Sequence, residues 1–137
     1  MTKNISKDTL YERLERIEIE LSCARRQIET ETRNIEQLRL QRAEIYEREA
    51  VNDADISQKF DGYRVPKTVD RKSYDTTKSA IKSVYYAIRT AGKDGMGMTE
   101  LQDVLATRTN KEIRDAVFFL NDGGDIRGPT RNWKWKV

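Results

Sequence analysis

The stretch from Leu10 to Ile45, LYERLERIEIELSCARRQIETETRNIEQLRLQRAEI, carries the pattern that decides the fold. Its apolar residues recur at alternating spacings of four and three, which is the heptad repeat of a coiled-coil seam. Glu31 and Arg42 interrupt the repeat, and we expect them to fix the register or to mark where the coil loosens. The apolar seam residues, which we predict to mediate dimerisation, are Leu10, Leu14, Ile17, Leu21, Ala24, Ile28, Ile35, Leu38 and Ile45.

The residues around the seam favour one uninterrupted helix. All seven glycines and both prolines lie beyond residue 61, so the first part of the chain lacks the strongest helix breakers. Thr9 and Glu12 form a capping box at the start, and Ser6 is an alternative cap one turn earlier. The segment 50–53 is a plausible end. We therefore assign residues 1–50 to a coiled-coil dimerisation helix.

A seam of this length needs a second long helix to cover it. A helix of about 40 residues is about 60 Å long at ~1.5 Å per residue, more than a small domain can cover. A second copy of the chain is the simplest source, and the alternative is a lone helix folded against the C-terminal part. A parallel dimer is favoured, because Arg13 would then face Glu18 of the other copy and Glu20 would face Arg25. The alternative is an antiparallel dimer, in which Arg13 would approach Arg48 but Glu18 could meet Arg39.

Residues 51–74 lose the heptad and contain the first glycine and the first proline. We interpret them as a linker with turns at Asp61-Gly62 and Val65-Pro66. Its aromatic residues are candidates to dock on the neighbouring domain.

Residues 75–137 show three helical segments followed by two short strand-like segments. The first helix ends at Ala91-Gly92, the second covers about 100–106, and the third is capped by Asn110 and ends at about Asn121. Met96 or Met98 could add a short strand before the second helix. The third helix has an apolar face formed by Ile113, Ala116, Val117 and Leu120.

The two strand-like segments, 125–127 and 133–137, flank a turn-forming stretch at 128–132. Alternation places Trp133, Trp135 and Val137 on one half-buried face of a hairpin. Both tryptophans are therefore expected in the core rather than as base-stacking residues.

Three sequence segments in this region resemble the winged helix-turn-helix superfamily: Met98-Thr99-Glu100-Leu101, the run from Ile113 to Leu120, and Gly124-Asp125-Ile126. The resemblance covers residues 75–137 and implies a mainly α fold with a small β wing. It also implies that the third helix enters the major groove and that the wing contacts the DNA backbone or minor groove. The DNA-binding residues implied are Arg108, Thr109, Asn110, Lys111, Arg114, Arg127, Thr130 and Arg131.

Within that set, Arg114 is the best candidate for base contact, because its planar fork can pair with the two acceptors of guanine. Lys111, at the helix start, is better suited to a phosphate. Glu112 and Asp115 on the same helix repel phosphates and count against DNA binding. Phe118 falls opposite the apolar face, so it is either covered by the linker or a contact surface for another protein.

Composition excludes several classes of function. The chain has no histidine and a single cysteine, Cys23, so we expect no metal site, no cofactor and no enzyme activity. No apolar run is long enough to cross a membrane, and we expect a cytoplasmic protein, associated with the nucleoid in a prokaryote. The net charge is +3, and the positive excess lies in residues 75–137, with 11 Lys and Arg against 8 Asp and Glu.

The sequence thus predicts a homodimer, or a higher oligomer, that binds double-stranded DNA sequence-specifically. A transcriptional regulator or a plasmid or phage maintenance factor would have this organisation. The alternative is a protein-interaction adaptor whose winged helix no longer binds DNA, with a second protein bound through Phe118 or the coil.

Overall fold

The computed structural model describes residues 7–65, 67 and 69–137. Its first element is helix α1, Lys7–Asn52, which confirms the long N-terminal helix and its end near residue 50. Ser6 lies outside the described residues. Thr9 lies inside the helix, so the predicted capping box does not mark its start, because the backbone is already helical at Lys7. The chain divides into two compact units, of which one ends at Leu38 and the other is Arg39–Val137.

Within its described residues, 7–38, the first unit is one helix that buries no side chain. Every residue from Lys7 to Leu38 is exposed except Thr9, which is half-buried. All the predicted seam residues in this range are among the exposed ones. Leu38, for example, is 65% exposed. The apolar stripe that the heptad predicts is therefore present on the helix surface and is uncovered within a single chain.

The second unit begins with the last part of α1 and helix α2, Ala54–Phe60. The Asp53 side chain accepts a hydrogen bond from the Ile56 amide at 3.0 Å and caps α2. Ile56 and Phe60, spaced four apart on one helix face, are fully buried. The interpretation of residues 51–74 as a linker is therefore wrong for this part. A capped helix of seven residues with two buried apolar side chains is enough to make it an element of the core.

Three further helices follow: α3, Tyr74–Ala91; α4, Met98–Val104; and α5, Asn110–Asp122. The second predicted helix starts two residues earlier than expected. The cap of α5 is Thr109 rather than Asn110, because the Thr109 hydroxyl accepts a hydrogen bond from the Glu112 amide at 3.2 Å. The four predicted apolar residues of α5 are all buried.

A small antiparallel sheet pairs β1, Met96–Gly97, with β2, Lys134–Trp135. The short strand predicted at Met96 is confirmed. The predicted hairpin is reduced to one bridge between Arg127 and Lys136, whose backbones exchange two hydrogen bonds. The described chain is thus mainly helical with a small β component, as predicted.

The prediction that Trp133, Trp135 and Val137 share a half-buried face of this hairpin is wrong for two of the three residues. Trp133 is 77% exposed and Val137 is also exposed, whereas Trp135 packs against the core. The reason is that the Trp133 amide donates to the Thr130 carbonyl, so Trp133 still belongs to the turn. The strand alternation starts only at Lys134.

The core of the second unit lies between α2, α3, α4 and α5. α1 contributes two buried alanines, Ala43 and Ala50, whose small side chains allow close packing. Phe60 meets the ring of Tyr85 edge to face, with 5.1 Å between ring centroids. The largest fully buried side chains are Ile56, Phe60, Ile81, Ile88, Leu101, Leu105, Ile113, Leu120 and Ile126.

Candidate nucleic-acid interface

The outer face of α5 carries two free cations. Burial of Ile113 and Ala116 on the inner side fixes the rotation of α5, and Lys111 and Arg114 are exposed on the other side. Neither has an ion-pair partner among the residues that the structure describes. Both can therefore approach an anionic surface without first breaking an internal contact.

Arg108, which the resemblance placed among the DNA-binding residues, has a different position. Its side chain is only 11% exposed. Its Nε and Nη2 bind the two carboxylate oxygens of Glu47 on α1, at 2.7 Å and 2.8 Å. Nη2 also donates to the Ser79 hydroxyl on α3 at 2.7 Å. Arg108 is thus an internal connector rather than a free phosphate contact.

The same arginine changes the electrostatics of α5. Arg108 Nη1 lies 3.4 Å from a carboxylate oxygen of Glu112, which offsets part of the negative charge in the first turn. Asp115 remains exposed and keeps its repulsion towards phosphates. Of the two carboxylates that oppose DNA binding, one is therefore partly compensated within the chain.

The segment after α5 supplies further cations. Arg127 and Arg131 are exposed and have no ion pair within the described ranges 7–65, 67 and 69–137. Thr130, a predicted contact residue, instead shapes the loop, because its hydroxyl accepts from the Lys134 amide at 3.2 Å. Lys134 pairs with Glu100 at 3.0 Å.

An open cleft of about 770 Å³ separates this loop from the turn after α3. Lys93, Arg127 and Lys136 line it, and no carboxylate side chain does. Cations from two separate parts of the chain therefore face one space. Lys93 and Lys136 were missed as candidates, since only the fold brings them together.

Arg42, which interrupts the predicted seam, forms an ion pair within the second unit. Arg42 Nη2 binds Asp103 on α4 at 2.6 Å, and Arg39 binds the other oxygen of the same carboxylate at 3.1 Å. Arg42 thus has an intramolecular ion partner, which a polar seam position would otherwise lack. Ile45, the last seam residue, stays exposed.

Two ion pairs join the α2 region to α3. Asp53 binds Arg89, and this hydrogen bond lowers the pKa of the Asp53 carboxyl below its usual value. Asp61 binds Lys82 at 2.8 Å, and that hydrogen bond likewise lowers the pKa of Asp61. The segment predicted as a linker is therefore held by charge as well as by burial.

Two features are absent from the residues that the structure describes. No group of three or more acidic or cysteine side chains there could hold a metal ion. Among the helices of those residues, none has the length and apolarity to cross a membrane. Comparison with protein-family models, curated proteins and solved structures gives no match to this chain.

Proposed function

We propose that this chain is a dimeric winged-helix protein that binds double-stranded DNA. The order α3, β1, α4, α5 and β2, with β1 paired to β2, supports a winged-helix assignment for the C-terminal part. In such a domain α5 is the recognition helix and the loop between Arg127 and Lys134 is the wing.

The observation that carries the proposal is the free pair Lys111 and Arg114 on the outer face of α5. Lys111 lies in the first turn, where backbone amides also point outwards and favour a phosphate. Arg114 lies one turn further along and can read a guanine edge. Arg127 and Arg131 extend the cationic surface on the wing.

Self-association is the second part of the proposal, and the exposed seam of α1 supports it. Exposure of a stripe of nine apolar residues at heptad spacing to water is energetically unfavourable. A second copy supplies the same stripe, and the attraction between Arg13 and Glu18 favours a parallel pair. Two α5 helices would then reach two half-sites, as in a small transcriptional regulator or a plasmid or phage maintenance factor.

The test is a titration of a random-sequence duplex over a range of salt concentrations. The logarithm of the affinity should fall linearly with the logarithm of salt, with a slope of about −0.9 per phosphate contacted. Lys111→Ala should reduce the slope by about one contact. Arg114→Ala should weaken binding and flatten the preference among sequences selected from the pool.

The matched control is Arg33→Ala, which removes one exposed positive charge from heptad position f of α1. This variant should bind like the wild type. Absent binding, or binding that salt does not weaken, would contradict the proposal.

A protein-interaction adaptor is the alternative, and one observation favours it. Phe118 on α5 is 64% exposed, and the linker does not cover it. Its ring meets Phe119 edge to face at 5.8 Å, which gives an aromatic patch next to Asp115. Failure of the duplex titration, with wild-type folding, would favour this function.

A further inference from the structure

Trp133, in the wing, combines two unfavourable features. It is the most exposed of the large hydrophobic residues in the described chain, at 77%. It is also the non-glycine residue with positive φ in the described ranges, at 57°. Residues with a β-carbon rarely adopt this left-handed backbone conformation, because the β-carbon then approaches the following carbonyl oxygen.

The hydrogen bonds of the turn hold Trp133 in this state. The Thr130 amide donates to the Lys134 carbonyl at 2.9 Å, and the Trp133 amide donates to the Thr130 carbonyl at 2.8 Å. Trp133 therefore occupies the last position of the loop, where glycine or asparagine is the usual residue before the chain re-enters a strand. The turn itself gives no reason for a tryptophan.

The surroundings indicate the chemistry of a partner. Residues 126–137 contain four cations, Arg127, Arg131, Lys134 and Lys136, of which Lys134 pairs with Glu100, a residue that lines the same pocket as Trp133. An exposed flat ring within a cationic segment suits a polyanion that also has flat apolar faces. Nucleic acid has both properties, because its bases stack and its backbone is charged.

We propose that the Trp133 indole stacks on an unpaired or unstacked base, an inference that rests on the proposed function. In the interior of a duplex each base face is covered by its neighbour, so a fully paired duplex offers a free base face only at its two ends. A bulged base or a one-nucleotide overhang exposes such a face. The chain therefore binds duplexes that carry an accessible base more tightly than fully paired ones.

The experiment compares a blunt duplex with the same duplex carrying one bulged base, for the full chain and for Trp133→Ala, Trp133→Phe and Trp133→Gly. The wild type should prefer the bulged duplex by about tenfold, as expected for one base–aromatic stack. Trp133→Phe should keep most of this preference. Trp133→Ala and Trp133→Gly should lose it and bind the bulged and the blunt duplex with equal affinity.

Folding and fluorescence serve as controls. Glycine suits a φ of 57°, so Trp133→Gly should unfold at a temperature no lower than the wild type. Binding of the bulged duplex should quench tryptophan emission in the wild type and much less in Trp133→Phe, where Trp135 is the remaining indole.

The inference would be overturned if the wild type bound both duplexes with equal affinity, or if Trp133→Ala kept the preference for the bulged duplex. Salt-dependent binding of the blunt duplex would in that case still support the proposed function. Absence of binding to either duplex would overturn both. A change in sedimentation of Trp133→Ala without DNA would also overturn the inference, because the ring would then be a protein contact.

Discussion

The two compact units of this chain use apolar residues in opposite ways. From Lys7 to Leu38 the apolar residues form an exposed stripe and none is buried. From Arg39 onwards, α2 to α5 bury theirs in one core. Helical propensity and the absence of breakers are sufficient for the first pattern, whereas the second needs side chains distant in sequence to meet. A partner for the first unit is therefore part of our proposal, whereas the second unit buries its apolar residues within the chain.

α1 itself shows both behaviours. In its last part, Ala43 and Ala50 are buried in the second unit. The seam residue Ile45 lies on another face and stays exposed. One helix can thus serve a core on one face and a partner on another.

The largest expected effect is on the second unit, from Phe60→Ala. Phe60 is 1% exposed and packs on Tyr85, so its truncation should lower the free energy of unfolding by about 3–5 kcal/mol. Denaturant titration of the full chain measures this. Val51→Ala, at a side chain exposed on α1, should change it by less than about 0.5 kcal/mol. A small effect of Phe60→Ala would return residues 54–60 to the status of a linker.

Arg108→Ala should follow, with a loss of about 2–3 kcal/mol, because it removes the ion partner of the partly buried Glu47 carboxylate. The double variant Glu47→Ala with Arg108→Ala should be less destabilised than the sum of the single variants. Additive losses would show that the contact carries no coupling. A double-mutant cycle by thermal or denaturant unfolding gives the answer.

A smaller effect separates the two candidate caps of α5. Thr109→Ala should destabilise by about 1 kcal/mol, because the Glu112 amide loses its acceptor. Asn110→Ala, inside the helix, should be close to neutral. The reverse order would place the cap at Asn110.

The smallest expected effect is on the thermal stability of the chain at acidic pH. Because Arg89 lowers the pKa of folded Asp53, the contribution of this carboxylate is complete above its ordinary value of 3.8 and is lost as pH falls below it. Asp53→Asn keeps a capping oxygen and removes the charge, so the thermal midpoint should fall less steeply in acid. The control is Asp75→Asn, at an exposed carboxylate, which should leave the dependence of the thermal midpoint on pH unchanged. If Asp53→Asn also left it unchanged, the stabilising role of the Asp53–Arg89 pair would be contradicted.

The elements with strong local signals could be predicted from the sequence. Periodicity gave α1, α3 and α5, and for α5 also its buried face, because these patterns are read within one helix. The sequence could not place Arg108, since its partner Glu47 is 61 residues away and no local pattern joins them. It also misplaced Trp133, because alternation says nothing about where a turn ends. α2 was missed because it is short: it has seven residues, and only two of its apolar side chains are buried.

Sedimentation of the full chain at micromolar concentration tests the comparison between the units most directly. We predict a species of twice the 16.0 kDa chain mass. Leu21→Asp combined with Ile28→Asp should give the single-chain mass and leave unfolding of the second unit unchanged. A wild-type chain that sediments as one 16.0 kDa species would contradict the account.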